Sequence, residues 1–357
     1  MKKLVLIIVF AVLLITPCRA ELVSNADIER AVPQSAEKVI GSAGVDDAIN
    51  ADRLIDKVWN GLKTSLLSGL RDSVGKAIGV FAVAVICGIF GVFSADGGVP
   101  DYVPLCGCAA IAVICAGDMN SFVKLGTQTL DDISVFSKSL LPALCASGAA
   151  CGAVASSAAK FAASALFTDV LITAAKNLIL PLIYAYLALV IASAAFDNKS
   201  LGGISKLAKW LCTFMMTVLT VGFTAYLSIS SAIASSSDAV AMKVAKTTIS
   251  TALPVVGGIL SDAASSVVAG MALLRSSIGI FGLVVVLAIC VVPFATLGVN
   301  YLMFKLAGVC TVALGNDRLA DIVGGIGGAF GLLLGLVGSS GLMMFISILS
   351  CIRTVSG

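Results

Sequence analysis

Of the 357 residues, 59% are hydrophobic and only 12% charged, with 23 Lys and Arg against 20 Asp and Glu for a net charge of +3, and there is no His. A soluble globular chain carries about 25% charged residues, so a mean hydropathy of +1.08 places this chain in a lipid bilayer as an all-α, polytopic helical membrane protein. The weak net charge, without a basic cluster interleaved with aromatics, excludes a nucleic-acid grip. The lack of His removes the commonest general base and a common metal ligand. The 11 Cys include no C-x-x-C pair, the closest two being Cys106 and Cys108. Most of the others sit in apolar runs where a thiol packs as a small hydrophobe. No catalytic, metal or cofactor residue stands out, and the chain is expected not to be an enzyme.

Residues 1–20, MKKLVLIIVFAVLLITPCRA, show two lysines, a short apolar run and small residues before Glu21. That is the pattern of a cleaved signal peptide, too short for a comfortable span; an uncleaved anchor is the alternative. Residues 21–73 follow as an acidic, amphipathic-helical soluble segment expected outside the cytoplasm. Its residues 21–72 hold nine acidic and six basic side chains. Ile55, Val58, Trp59, Leu62, Leu66, Leu70 and Val74 recur at helical spacing, which reads as a face lying on the bilayer or the next span in preference to a partner-docking face.

The membrane domain runs over residues 74–352. Spans are expected near 74–93, 103–123, 139–159, 177–195, 209–231, 277–301 and 322–350. Stretches 253–274 and 303–315 are ambiguous, which makes seven to nine membrane segments in all. Lys199, Lys206 and Lys209 mark the loop at 196–210 as cytoplasmic. Counting back from that loop across every span puts residues 21–72 in the cytoplasm, against the signal peptide, so one element fails to cross. The Ala- and Ser-rich region 139–176 is the suspect.

Several features deserve a site reading. TALPVVGGILSD, residues 251–262, carries Pro254, Gly257, Gly258 and Asp262 within nine residues and reads as a broken or re-entrant element near 253–274, which needs protein or water around it. No G-x-x-x-x-G-K-[ST] loop occurs, so the chain has no phosphate cradle of an ATPase. In the last span, Gly324 and Gly328 form one ladder, and Gly327, Gly331 and Gly335 a second, at four-residue spacing. These leave a groove for a close helix backbone, preferably one of this chain. Asp118 and Arg275 are candidate intramembrane polar residues, with Lys160, Lys176 and Lys305 also near membrane depth; for the lysines, snorkelling is the competing reading. Pro142, Pro181, Pro254 and Pro293 read as ordinary kinks before they read as a midplane site.

The run KTTISTALPVVGGILSDAASSVVAGMALLRSSIGIFGL, residues 246–283, resembles the most characteristic stretch of the stage III sporulation protein AE family. It is followed by a Pro-bearing span, a further short span, a turn at Gly315, Asn316, Asp317 and Arg318, and a Gly-rich last span in the family's order. The specificity rests on residues 246–325; the first 130 residues match only in layout. The resemblance implies a subunit of the complex in the mother-cell membrane surrounding the forespore, working beside the other subunits, including a separate ATPase, as a channel or secretion-like apparatus that supports forespore development and late gene expression. It carries no catalytic residues. The alternatives are a self-contained secondary transporter, for which the first half offers no clear counterpart of PVVGGILSD, and a structural scaffold recruiting the other subunits.

Overall fold

The computed structural model describes residues 25–41, 43–93, 102–252, 257–313 and 317–353. The signal-like segment and Pro254 lie outside them. Two short helices, α1 (Asn25–Arg30) and α2 (Gln34–Ile40), and a 3-10 turn (Val45–Asn50) precede the long helices. These are α3 (Ala51–Phe93), α4 (Tyr102–Ala150), α5 (Val154–Ala174), α6 (Leu180–Phe196), α7 (Lys199–Ala252), α8 (Gly257–Ala313) and α9 (Asp317–Arg353). A π-helical turn at Ala175–Ile179 joins α5 to α6 without ending the helix. No strand occurs among the described residues.

Five helical stretches among the described residues are long and apolar enough to cross a bilayer: Leu105–Ala150, Val154–Phe196, Lys199–Ser230, Ser276–Ala313 and Asp317–Ile352. The expected segments distribute over fewer helices than their number suggests. Segment 277–301 and residues 303–313 of the next both lie on α8, which runs through Pro293. Segment 139–159 is not one helix, because α4 ends and α5 begins inside it. The chain turns there at Gly152, whose φ of +91° is left-handed. The Gly152 N–H donates to Ala149 O at 2.9 Å and the Ala153 N–H to Gly148 O at 3.1 Å. This pair of bonds satisfies the last carbonyls of α4, and glycine meets the required φ without a Cβ penalty.

Of the expected broken element, residues 257–274 form the opening turns of α8, and residues 253–256 lie outside the described residues. Glycines are cheap at a helix start, where the first N–H groups have no intrahelical partner in any case.

The helices run alternately up and down, and their register can be followed along α9. Gly107 on α4 approaches Leu319, and Phe122 meets Phe330 edge-on at 5.0 Å, so α4 runs parallel to α9. From α8, Gly308 approaches Gly324, Phe294 approaches Gly338 and Cys290 approaches Gly341, an antiparallel order. On α6, Tyr186 and Val190 pair with Gly328 and Gly325; on α7, Lys209 and Met216 pair with Gly328 and Gly335. On α5, Ser164 meets Ser347. One end of the bundle therefore gathers the Asp197–Asn198 turn and the α8–α9 junction, and the other the Cys151–Ala153 turn and the end of α9.

The first helices pack at this second end. Ile28, Ala36 and Ile40 are buried with Phe136 of α4 and Phe281 of α8, and Ser35 Oγ donates to Asp132 Oδ2 at 2.5 Å. The apolar face expected on α3 is split by this arrangement. Leu54 and Val58 are buried, whereas Ile55, Trp59, Leu70 and Val74 are exposed. The inner side of α3 presents Gly61 to Val39 and Gly69 to Thr296, so close approach selects small residues there and turns the larger ones outward.

Replacing Gly152 by Ala forces a Cβ into a left-handed position at a cost of about 1–2 kcal/mol. Thermal unfolding of the purified chain should show a lower midpoint for this variant. Gly75→Ala, in an α3 interior with open space around it, should not lower it.

Candidate functional site

In lipid, helices gain little from hydrophobic burial against one another and associate through close van der Waals packing and hydrogen bonds. The last helix meets that requirement with glycines, on two faces. One face lies against α8. A Cβ on Gly308 would sit 3.3 Å from Gly324 N and 3.4 Å from its Cα, so here backbone packs on backbone. One turn on, a Cβ on Gly327 would be 3.3 Å from Phe304 Cβ, and one on Gly331 would be 3.0 Å from the Tyr301 ring. The other face lies against α6 and α7. Gly325 approaches Val190, and a Cβ on Gly328 would lie 2.5 Å from Tyr186 Oη and 3.4 Å from Lys209 Nζ. Gly335 faces Met216 of α7 at 3.6 Å.

The sequence spacing groups Gly324 with Gly328, and Gly327 with Gly331 and Gly335; the structure groups them otherwise. A four-residue step overshoots a 3.6-residue turn by about 40°. Two such steps carry the row from Gly327, facing α8, round to Gly335, facing α7. The partners of both faces are helices of the same chain. On the rest of its surface α9 buries Ile322, Val323, Ile326, Phe330, Leu333 and Leu336, with Phe330 meeting Phe122 of α4. Phe330 also packs against Phe304 at a centroid distance of 5.2 Å.

Polar contacts pin the ends of these helices. At the loop end, Asp197 closes α6 with a left-handed φ of 48° and its carboxylate accepts from Arg318 at 2.8 Å. Asn198 Oδ1 accepts the Ser200 N–H at 2.9 Å, capping α7. Within the bundle the Tyr186 hydroxyl donates to Gly325 O at 3.0 Å, and Lys176 in the π turn pairs with Asp131 of α4. At the opposite end α5 begins at Ala153 with no cap of its own. Asp238 of α7 supplies one: its two carboxylate oxygens accept the N–H groups of Ala155 and Ser156, each at 2.9 Å. Buried Lys160 donates to Ser350 O at 2.7 Å, at the end of α9. Burial acts to raise the Asp238 pKa, but the Ser156 and Ala155 amides and the Lys160 charge outweigh it, so the group lies below its ordinary value.

The remaining expected residues are placed as follows. Gly257, Gly258 and Asp262 occupy the first turns of α8, and Asp118 and Arg275 lie on α4 and α8. The side chains of Asp118, Asp262 and Arg275 fall outside the described residues. Gly257 precedes Tyr301 by 44 positions on one helix, about 65 Å of axis, so the 257–262 cluster and the glycine faces are separate places. Asp238 escaped the sequence reading, since its partner amides stand more than 80 positions earlier; its only signal was an acid within a Ser- and Ala-rich run. Among the described residues no three Cys, Asp or Glu side chains gather as metal ligands.

The family model described as stage III sporulation protein AE (spore_III_AE) matches residues 46–354. The stage III sporulation protein AE of Bacillus subtilis (strain 168) is 27% identical over 238 residues, which cover 64% of this chain and 58% of that relative. The chain thus spans less than two thirds of the relative's length. No solved structure matches.

Two predictions follow from the packing. Gly308→Ala meets rigid backbone and Gly325→Ala meets the branched Val190, so each should destabilise the chain by about 1–3 kcal/mol, seen as a lower unfolding midpoint in detergent. Gly324→Ala, whose own Cβ would meet nothing within 4 Å, should be neutral or gain up to about 1 kcal/mol from helix propensity. For the cap, the folded Asp238 pKa is depressed, so its stabilisation is fully present above roughly pH 4 and is lost as pH falls through the folded value. Asp238→Ala should cost about 1–2 kcal/mol at pH 7 by leaving the Ala155 and Ser156 amides without their acceptor, and the gap to the unsubstituted chain should narrow on acidification.

Proposed function

Because the chain belongs to the stage III sporulation protein AE family, we propose that it is a non-enzymatic membrane subunit of a channel or secretion-like complex linking mother cell and engulfed forespore. In this reading it resides in the mother-cell membrane around the forespore. There it works with other subunits, a separate ATPase among them, and supports forespore development and late forespore gene expression. The observation that carries the reading is the extent of the family match, from the 3-10 turn through α9. The lack of a phosphate-cradling loop in the chain agrees with energy supplied by another subunit.

The helix directions support a definite orientation. Lys199, Lys206 and Arg318 lie at the end of the bundle formed by the α6–α7 and α8–α9 junctions, which makes that end cytoplasmic. Two of the five apolar stretches, α4 and the α5–α6 unit, and the length of α3, which is not among the five, separate it from residues 25–50. These residues then lie outside the cytoplasm, in accord with a secretory signal. Segment 139–159 holds the end of α4, the turn at Gly152 and the start of α5, which supports a count with one crossing fewer. The longest helix, α8, has 57 residues, about 85 Å against a hydrocarbon layer of about 30 Å. The excess length offers docking surface to other subunits outside the membrane.

In a sporulating host, removal of the chain should silence a late forespore reporter while engulfment completes, and co-purification should show whether the partner subunits still assemble. A purified chain that moves solutes across vesicles unaided would favour the transporter. Lost assembly as the sole defect would favour the scaffold. For orientation, alkaline phosphatase fused after Gly152 or Arg353 should be active and fused after Asn198 inactive; activity at Asn198 would reverse the assignment.

A further inference from the structure

Lys209, beside Gly328, and Lys305, beside Gly327, carry charges that neither the packing nor the proposed role accounts for. Lys209 stands ten residues into α7 and Lys305 eight residues before the end of α8, which puts both about 12–15 Å inside their helices from the same end of the bundle. They flank neighbouring glycines of α9. Lys209 Nζ lies 3.4 Å from where a Cβ of Gly328 would be, and Lys305 N lies 3.4 Å from where a Cβ of Gly327 would be. Both residues are partly buried, and their charges are close enough to repel one another. Among the described residues neither lysine makes a hydrogen bond or an ion pair.

The nearby carboxylates do not fill the gap. Asp197 is held by Arg318 at 2.8 Å, and Asp321 is exposed, two turns away along α9. Two unneutralised lysines whose charges act on one another between membrane helices are costly, and an anion with several acceptor oxygens relieves both at once. A glycine at position 328 keeps the space open in which Lys209 Nζ and Tyr186 Oη meet α9.

We propose that Lys209 and Lys305 bind a phosphate-bearing anion in the crevice between α7, α8 and α9, supplied as the headgroup of an anionic phospholipid. Basic pockets between membrane helices on the cytoplasmic side take such headgroups. The surroundings fit a lipid. Trp210, next to Lys209, is exposed and stacks on Phe214 at 5.1 Å, as aromatic side chains do at headgroup level. Leu302 and Leu306, beside Lys305, are exposed apolar surface for acyl chains.

The test uses the full chain in nanodiscs of phosphatidylcholine with or without phosphatidylglycerol. It reads Trp210 fluorescence in a Trp59→Phe background, which removes the other of the two tryptophans, together with the lipid retained through delipidation. Phosphatidylglycerol should shift the Trp210 signal saturably and remain bound. Lys209→Gln and Lys305→Gln should each weaken binding at least fivefold and together abolish it, whereas Lys209→Arg, Lys305→Arg and the exposed Lys206→Gln should leave it within twofold. Helical circular dichroism checks that each variant is folded, and the arginine pair carries the test if a glutamine variant is not. Unchanged binding in the double glutamine variant, or an equal loss in Lys206→Gln, would overturn the site. Inorganic phosphate giving the same lysine-dependent shift in pure phosphatidylcholine, without retained phosphatidylglycerol, would keep the phosphate site and overturn the lipid as its source.

Discussion

A helix can serve as the centre of a bundle only if its neighbours can come close on more than one side, and side chains set that distance. In α9 the limit is lifted at intervals by glycine. Gly308 of α8 lies against the backbone of Gly324, and from that crossing the register of α8 along α9 is fixed for its remaining contacts. The second face, at Gly325, Gly328 and Gly335, fixes α6 and α7 in the same way. Because lipid offers no hydrophobic reward for pairing, close contact and the few interhelical hydrogen bonds must hold the arrangement. Large side chains such as Phe330 and Leu333 pack the rest of the helix surface, toward α4.

Several polar contacts sit where a helix begins or ends. The α6–α7 turn is tied to α9 through Asp197 and Arg318. The start of α5 is tied to α7 through Asp238, and α5 to the end of α9 through Lys160. A charge removed from water is costly unless it is paired and hydrogen-bonded. Asp238 meets both conditions at once: it accepts two backbone donors that α5 leaves unsatisfied and lies beside a buried ammonium.

The sequence shows its helical class and its glycine-rich last helix plainly, since composition and four-residue spacing are local properties. The division of the glycines between two faces is less visible, because it depends on the drift of a four-residue row about a 3.6-residue helix and on which neighbours flank it. The turn at Gly152 was announced by a glycine, but it is set in a run of small residues as apolar as a span, so hydropathy alone carries the chain straight through it. The TALPVVGGILSD segment poses the reverse problem. Its proline and glycines suggested a long irregular element, yet glycines at the first positions of α8 interrupt no hydrogen bond. Pairings such as Lys160 with Ser350 or Lys209 with Lys305 join residues roughly 100 to 190 positions apart, and only the folded register brings them together.

The helix at the centre follows every other described helix in the chain. A ribosome therefore delivers α3 through α8 before the element that fills the space among them exists. Until α9 emerges, the glycine of α8 at position 308 has no backbone to meet, Val190 and Met216 face an open groove, and the Lys160 ammonium has no carbonyl at Ser350. The completed bundle is thus assembled from the outside inward, and its earlier helices depend on the surrounding lipid or an insertion partner to hold them in place until the last one arrives.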